Sequence, residues 1–262
     1  MQIGSRRTST KIQAFLPDQV SGMGLWIDPS MLVYSDAGTT LAVNNDPVYQ
    51  VVCRKHGHVY SQPTLAARPT LITNGINGRP VLRLDGTDDV LLGDAMVASL
   101  LNGSTGFTVF VVAKSAASTL ARFIYWSITA NTNNRYFLGR SSTTEQFAFR
   151  VLDADAGVTI SSPARSYNGT SAYVISHSHD IANQSSTLYQ NGTAGATTSS
   201  SANFSAGSIT NTSSSTARLG GQGANFTNGD IAEAILYQRV LSEAERTKVT
   251  RYLARKFAVT IV

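Results

Sequence analysis

The stretch Asn228-Gly229-Asp230-Ile231-Ala232-Glu233-Ala234-Ile235-Leu236-Tyr237, continued by Leu241-Ser242-Glu243-Ala244-Glu245, decides how the rest of the chain is read. Its first half is an Asn-Gly turn signal followed by Ile231-Tyr237, an apolar run of strand length. Its second half is a helix start: Ser242 is placed to accept from the amide of Glu245, whose carboxylate can reach back. Val249, Leu253 and Phe257 then recur at four-residue spacing and form one apolar stripe. Arg255 and Lys256 complement the negative end of the helix dipole. These features predict a closing strand and then a helix over 242–257 that packs against whatever the strand belongs to.

Upstream, from Leu25 to about Val240, short apolar runs alternate with turn signals, the pattern of antiparallel strands in a sandwich or barrel. The runs include Val81-Leu84, Phe107-Ala113, Phe123-Ile128, Phe147-Leu152, Tyr173-Ser176 and Thr187-Tyr189. Phe107-Ala113 is apolar except at Thr108, which predicts a central strand covered on both faces. Phe147, Phe149 and Val151 alternate with Ala148 and Arg150, and are expected to face the core. Six Asn-Gly pairs, at 74, 77, 102, 168, 191 and 228, supply residues that accept the positive φ of tight hairpins. The Ser/Thr/Gly-rich stretch 193–216 is broken by Phe204 and Ile209, and is expected to hold weak edge strands and loops. Residues 1–20 are polar and basic and lack alternation. They are expected to form an extended arm ahead of a single domain over 21–262.

Composition limits the alternatives. The chain has 262 residues, of which 42% are hydrophobic and 14% charged, with a formal net charge of +5. That is too little charge for a coiled coil or helical bundle and enough apolar content for a sizeable core. A single cysteine, Cys53, excludes an internal disulfide and a metal site of the CxxC type. No apolar run reaches membrane-spanning length, and the basic N-terminal stretch is not followed by the apolar segment of an export signal. Tripeptides such as Asn168-Gly169-Thr170 fit the glycosylation pattern, which needs a secretory route, and read as turns. The basic excess is scattered. Its densest stretch, Arg246 to Lys256, reads as a solvated helix face, so nucleic acid and membrane are not expected partners.

The segment Asn74-Gly75-Ile76-Asn77-Gly78-Arg79-Pro80-Val81-Leu82-Arg83-Leu84-Asp85-Gly86-Thr87-Asp88-Asp89 resembles the laminin G-like branch of the concanavalin A-like lectin/glucanase superfamily. The closing strand and helix resemble that family's own ending. Leu188-Tyr189-Gln190-Asn191-Gly192 resembles the hairpin before its last strands, and Ala217-Arg218-Leu219-Gly220 the short strand after it. The resemblance spans residues 22 to 258 in the right order. It implies an all-β fold, a jelly-roll sandwich of two antiparallel sheets, one curved into a shallow groove, with the C-terminal α-helix packed on it. It does not imply one function. Where relatives carry a Trp-x-Asp motif and a Gly-Asn-Gly turn, this chain reads Val51-Val52-Cys53-Arg54-Lys55-His56-Gly57-His58. Some relatives bind calcium through loop carboxylates, which would fall on Asp85, Asp88 and Asp89. Asp85-Gly86 is also an ordinary turn signal, and calcium takes six to eight oxygens, so a structural role is expected and no cofactor is assigned.

Retaining glycosidases on this fold carry paired carboxylates about 5 Å apart, typically as Glu-x-Asp-x-Glu. This chain has four glutamates, Glu145, Glu233, Glu243 and Glu245, and no such spacing. Asp153-Ala154-Asp155 reads as a loop. In His177-Ser178-His179-Asp180 the histidines share one side of a strand, but no third zinc ligand is identifiable, and the segment reads as a solvent-facing hairpin. His56 and His58 meet the same objection. There is no Gly-x-Ser-x-Gly elbow, and Cys53 has no base assigned to it.

For binding, the candidates are Tyr125, Trp126, Asn134, Arg135 and Tyr136, because aromatic faces stack on sugar rings and amides bond hydroxyls. Core packing is the competing reading for Trp126. The expected function is a non-enzymatic structural or binding protein on the exterior of a bacteriophage particle, in contact with host or environmental glycans. This expectation takes the chain to start at its own methionine, without an export signal or an attached catalytic domain, and to carry an arm. Its expected partners are other virion proteins, met through the arm, and further copies of itself, a trimer suiting a phage surface. A divergent glycan-active hydrolase and a free lectin module are the alternatives.

Overall fold

The computed structural model describes residues 14–116, 121–127, 135–141, 146–153, 156–161, 169–183, 185–199 and 216–261. The closing strand, Asn228–Tyr237, organises the fold. It pairs antiparallel with Gly106–Ser115 on one side. On its other side it pairs with both Met23–Ile27 and Val81–Asp85. The sheet around it runs in the order Thr193–Ser199, Ser185–Gln190, Tyr173–Asp180, Gly106–Ser115, Asn228–Tyr237, Val81–Asp85, Thr70–Ile72, with Met23–Ile27 alongside the closing strand. The second sheet has nine strands, in the order Ala156–Ser161, Gln146–Asp153, Arg135–Ser141, Ala121–Ser127, Ala217–Leu219, Leu91–Gly93, Val59–Ser61, Gln50–Val52, Val33–Tyr34. All pairings are antiparallel, and the two sheets form the expected jelly-roll sandwich.

The core has two layers. Between the sheets lie residues such as Leu25, Leu82, Phe107, Val109, Val111, Phe123 and Leu236. Outside the eight-stranded sheet, Trp26, Phe110, Val112, Ile235 and Tyr237 pack under Val249, Leu253 and Phe257 of the terminal helix, Glu243–Phe257. Gly106–Ser115 is therefore sandwiched, as its run Phe107-Ala113, apolar except at Thr108, predicts. Burying each large apolar side chain stabilises by about 1.5–3 kcal/mol, so the helix is a structural third layer. Ser242 and Glu245 form the capping box, and Arg239 pairs with Glu245. A further helical turn, Ala95–Ala98, follows the Leu91–Gly93 strand and is capped by Asp94.

The proposed boundary at residue 21 moves toward the N-terminus. Pro17 and Val20 are buried, Phe15 and Leu16 pack against the helix-side cluster, and Pro17–Gln19 forms a 3-10 turn whose Pro17 carbonyl accepts from Tyr237 Oη at 2.8 Å. Their apolar side chains, in an otherwise polar segment, explain the docking. Residues 1–13 lie outside the described residues, as do 200–215 in the Ser/Thr-rich stretch, whose leading part is the edge strand Thr193–Ser199.

Candidate functional site

The terminal helix covers the outer face of one sheet, and the outer face of the nine-stranded sheet carries a continuous cross-strand row. By register, Tyr34 faces Gln50, Gln50 faces Ser61, Ser61 faces Leu92, and Leu92 faces Arg218. The row continues from Arg218 to Tyr125, then Phe137, Arg150 and Thr159. The neighbouring row, Val51, Tyr60, Leu91, Leu219, Ile124 and Leu138, is buried between the sheets. Because successive side chains alternate faces, the members of the first row whose side chains are described belong to the solvent side. Its described side chains bear this out: Leu92 is exposed, and Tyr34, Gln50, Ser61, Arg218 and Phe137 are half-buried.

Cations and rings meet on this face. The Arg122 guanidinium lies 4.7 Å from the Phe137 ring centroid, and Arg122 donates to Gln222 on the small hairpin of Gly221–Gln222 and Asn225–Phe226. Arg218 Nε is buried and has no hydrogen-bond partner among the described residues, and a shielded donor left without an acceptor costs about 1–3 kcal/mol.

The residues expected from sequence divide. Tyr125, Trp126 and Arg135 lie on two adjacent interior strands of this sheet, with Trp126 opposite Tyr136 and Tyr125 at an outer-row position, but their side chains are outside the described residues. Asn134 is outside them altogether. Tyr136 is corrected: it is fully buried, with Phe107 packed edge-on at 4.8 Å and the His177 ring stacked at 5.5 Å, so neither ring face is open to a sugar. The side chains of Phe147 to Val151 are likewise outside what is described. The row members Arg218, Phe137 and Gln50 were missed, because they show only once strand order and register are known.

The histidine segment is also corrected. His177 and His179 are buried between the sheets, in phase with Tyr173 and Ile175, and are not solvent-facing. His177 Nδ1 lies 3.2 Å from Tyr136 Oη, and Ser186 Oγ lies 3.2 Å from His177 Nε2 and 2.7 Å from His179 Nδ1. Burial holds the His177 imidazole well below its ordinary value, so it is neutral and packs as a core polar group.

The acids are similarly committed. Glu233 is fully buried beneath the helix: Trp26 Nε1 donates to it at 2.6 Å, and Lys256 Nζ bridges it at 2.7 Å to Asp28 at 2.8 Å. Arg54 completes the network, 2.9 Å from Asp28 and stacked over the Trp26 ring. Burial pushes the Glu233 carboxyl up to about 7 against the pull of Lys256. The carboxylate oxygens of Asp85, Asp88 and Asp89 lie within 4.8 Å of one another. They serve the turn, Asp85 accepting from the Thr87 amide and Asp89 from the Asp85 amide, with Gly86 at φ +83°. Burial and the two neighbouring acids push Asp89 up to about 6. Cys53 is buried and its thiol is pushed up to about 12, which leaves it unreactive. No two described carboxylates stand on the open row, so the arrangement offers stacking and hydrogen bonding and no acid–nucleophile pair among the described residues.

A second concavity of about 630 Å³ lies at the C-terminal end of the helix and is lined by Asn74, Asn77, Arg83, Lys114, Asn191 and Asp230, among others. Arg83 and Asp230 pair bidentately across it at 2.8 and 3.1 Å, so its strongest charges satisfy each other.

A family model described as the Concanavalin A-like lectin/glucanases superfamily matches residues 84–245, and the chain belongs to that superfamily. Among solved structures, the chain is similar to CBM40 of the Ruminococcus gnavus IT-sialidase, determined with alpha2,3 sialyllactose bound. The identity is 19% and the TM-score 0.53, covering 65% of this chain and 96% of that one. It is similar also to the binding domain of Paraclostridial Mosquitocidal Protein 1, at 13% identity and TM-score 0.60, over 78% of this chain and 49% of that one. The NanB sialidase of Streptococcus pneumoniae matches at 17% and 0.52, over 64% of this chain and 27% of the sialidase. At these identities the likeness is one of fold. No curated protein sequence matches significantly.

Proposed function

We propose that the protein is a non-catalytic glycan-binding module whose binding face is the outer surface of the nine-stranded sheet. The observation that carries this is the cross-strand row through half-buried Arg218, which sets a guanidinium in a line of aromatic, amide and hydroxyl positions. Aromatic faces stack on sugar rings while planar cations and amides bond their hydroxyls and carboxylates. The same fold holds sialyllactose in the R. gnavus CBM40. The test is incubation of the full chain with a polysaccharide panel, reading both retention and release of reducing ends. Retention without release is expected; release from a bound polysaccharide would sink the non-catalytic reading.

We propose further that the module sits on the exterior of a bacteriophage particle, as a homo-oligomer among other virion proteins. Support for the association alone comes from the exposed apolar side chains Met31, Leu32, Leu41 and Val43; exposed apolar groups of this kind mark contact surfaces. Light scattering is expected to give a mass above one chain; a monomer at every concentration contradicts it.

A further inference from the structure

The outward face of the terminal helix forms one wall of a groove of about 640 Å³. Its floor is apolar, made by Phe15, Leu16 and Tyr252, the two rings meeting edge-on at 6.5 Å. Its rim is cationic: Lys248, Arg251 and Arg255 recur at three- and four-residue spacing on one side of the helix, and Arg79 faces them from the opposite wall. All four are exposed, and none forms an ion pair among the described residues. The fifth cation, Lys256, is turned inward to Asp28 and Glu233. Among the described residues, no acid lines the groove.

We infer that this groove is a docking site for an acidic peptide segment of a partner protein, one that sets an aromatic or aliphatic side chain on the Phe15–Tyr252 floor and carboxylates against the four cations. Charge decides the occupant. The chain's own residues 1–13 contain Arg6, Arg7 and Lys11 and no acid, so they repel this rim, and a second copy of the same face repels it equally. A sulfated or uronic glycan would satisfy the cations but leave the apolar floor without a partner, whereas an acidic peptide with one apolar anchor matches both. The site lies on the helix, away from the open sheet, so it stands or falls separately from glycan binding.

The experiment is selection of a random twelve-residue peptide library on the immobilised full chain, with affinities measured on the selected peptides. The comparison protein is Lys248→Gln/Arg251→Gln/Arg255→Gln, which keeps good helix formers at exposed positions and whose folding is checked by its melt. The selected peptides are expected to combine several Asp or Glu residues with Phe, Trp or Leu. They are expected to lose at least tenfold in affinity for the variant and to weaken as salt rises. Peptides without an acidic excess, or peptides bound equally by the variant, overturn the proposal. So does a heparin fragment that displaces every selected peptide and loses its own binding in the variant, because the site then takes anionic glycans. Self-association abolished by the same variant would make the occupant a second copy, and overturns it too.

Discussion

Glu233 is held where a carboxylate is costly, and that cost depends on pH. Its folded pKa, about 7, lies above its ordinary value of 4.5, so its contribution to stability is fully present below pH 4.5 and is lost as pH rises through 7. A shift of that size corresponds to an effect on the order of 3 kcal/mol. From pH 5 to pH 8 the wild type is expected to lose melting temperature relative to Glu233→Gln, so that the difference between the two profiles falls as pH rises. Any slope left in the variant below about pH 6.5 combines Asp89, raised to about 6, with buried His177, held below its ordinary value and contributing with the opposite sign. An unchanged pH profile in Glu233→Gln contradicts the assignment. Alternation alone could not have placed this side chain. The register shifts between Ile231 and Glu233, so Ala232 and Glu233 both lie on the helix side while Ile231 faces the other sheet. Such a bulge leaves no mark on the hydrophobic pattern. His177 and His179, by contrast, were legible: they continue the phase of Tyr173 and Ile175, and polarity outweighed phase in reading them as solvent-facing.

Elements carry their information locally, and the terminal helix is the clearest case. Its capping box, apolar stripe and basic last turn are all in the sequence, and all are present in the structure. Leu253 is fully buried between helix and sheet, so Leu253→Asp is expected to lower the melting temperature by several degrees or more, and Ser242→Ala to cost about 1 kcal/mol. An unaltered melt in Leu253→Asp refutes the packing role. The segment before residue 21 was harder to read because Phe15, Leu16, Pro17 and Val20, set among polar residues, show no period. Its docking makes a separate prediction: removing residues 1–20 takes away Phe15, Leu16, Pro17 and Val20 and lowers the melt clearly below that of a chain lacking only 1–13. Equal melts for the two truncations would show that this segment contributes no packing.

At the level of the whole molecule, the two sheets differ in what lies outside them. The eight-stranded sheet is covered by the helix, and the nine-stranded sheet presents its row to solvent. The sandwich itself could be read from strand patterns and the resemblance. The row could not, since it joins residues from Tyr34 to Arg218 that only strand order brings side by side. The most direct measurement is a glycan microarray of the full chain beside Arg218→Ala, with Arg83→Ala in the polar concavity as the control. The account predicts wild-type signal on at least one glycan, a loss of tenfold or more in Arg218→Ala, and retention in Arg83→Ala. Binding that survives Arg218→Ala and disappears in Arg83→Ala, or a wild type that retains no glycan, contradicts it.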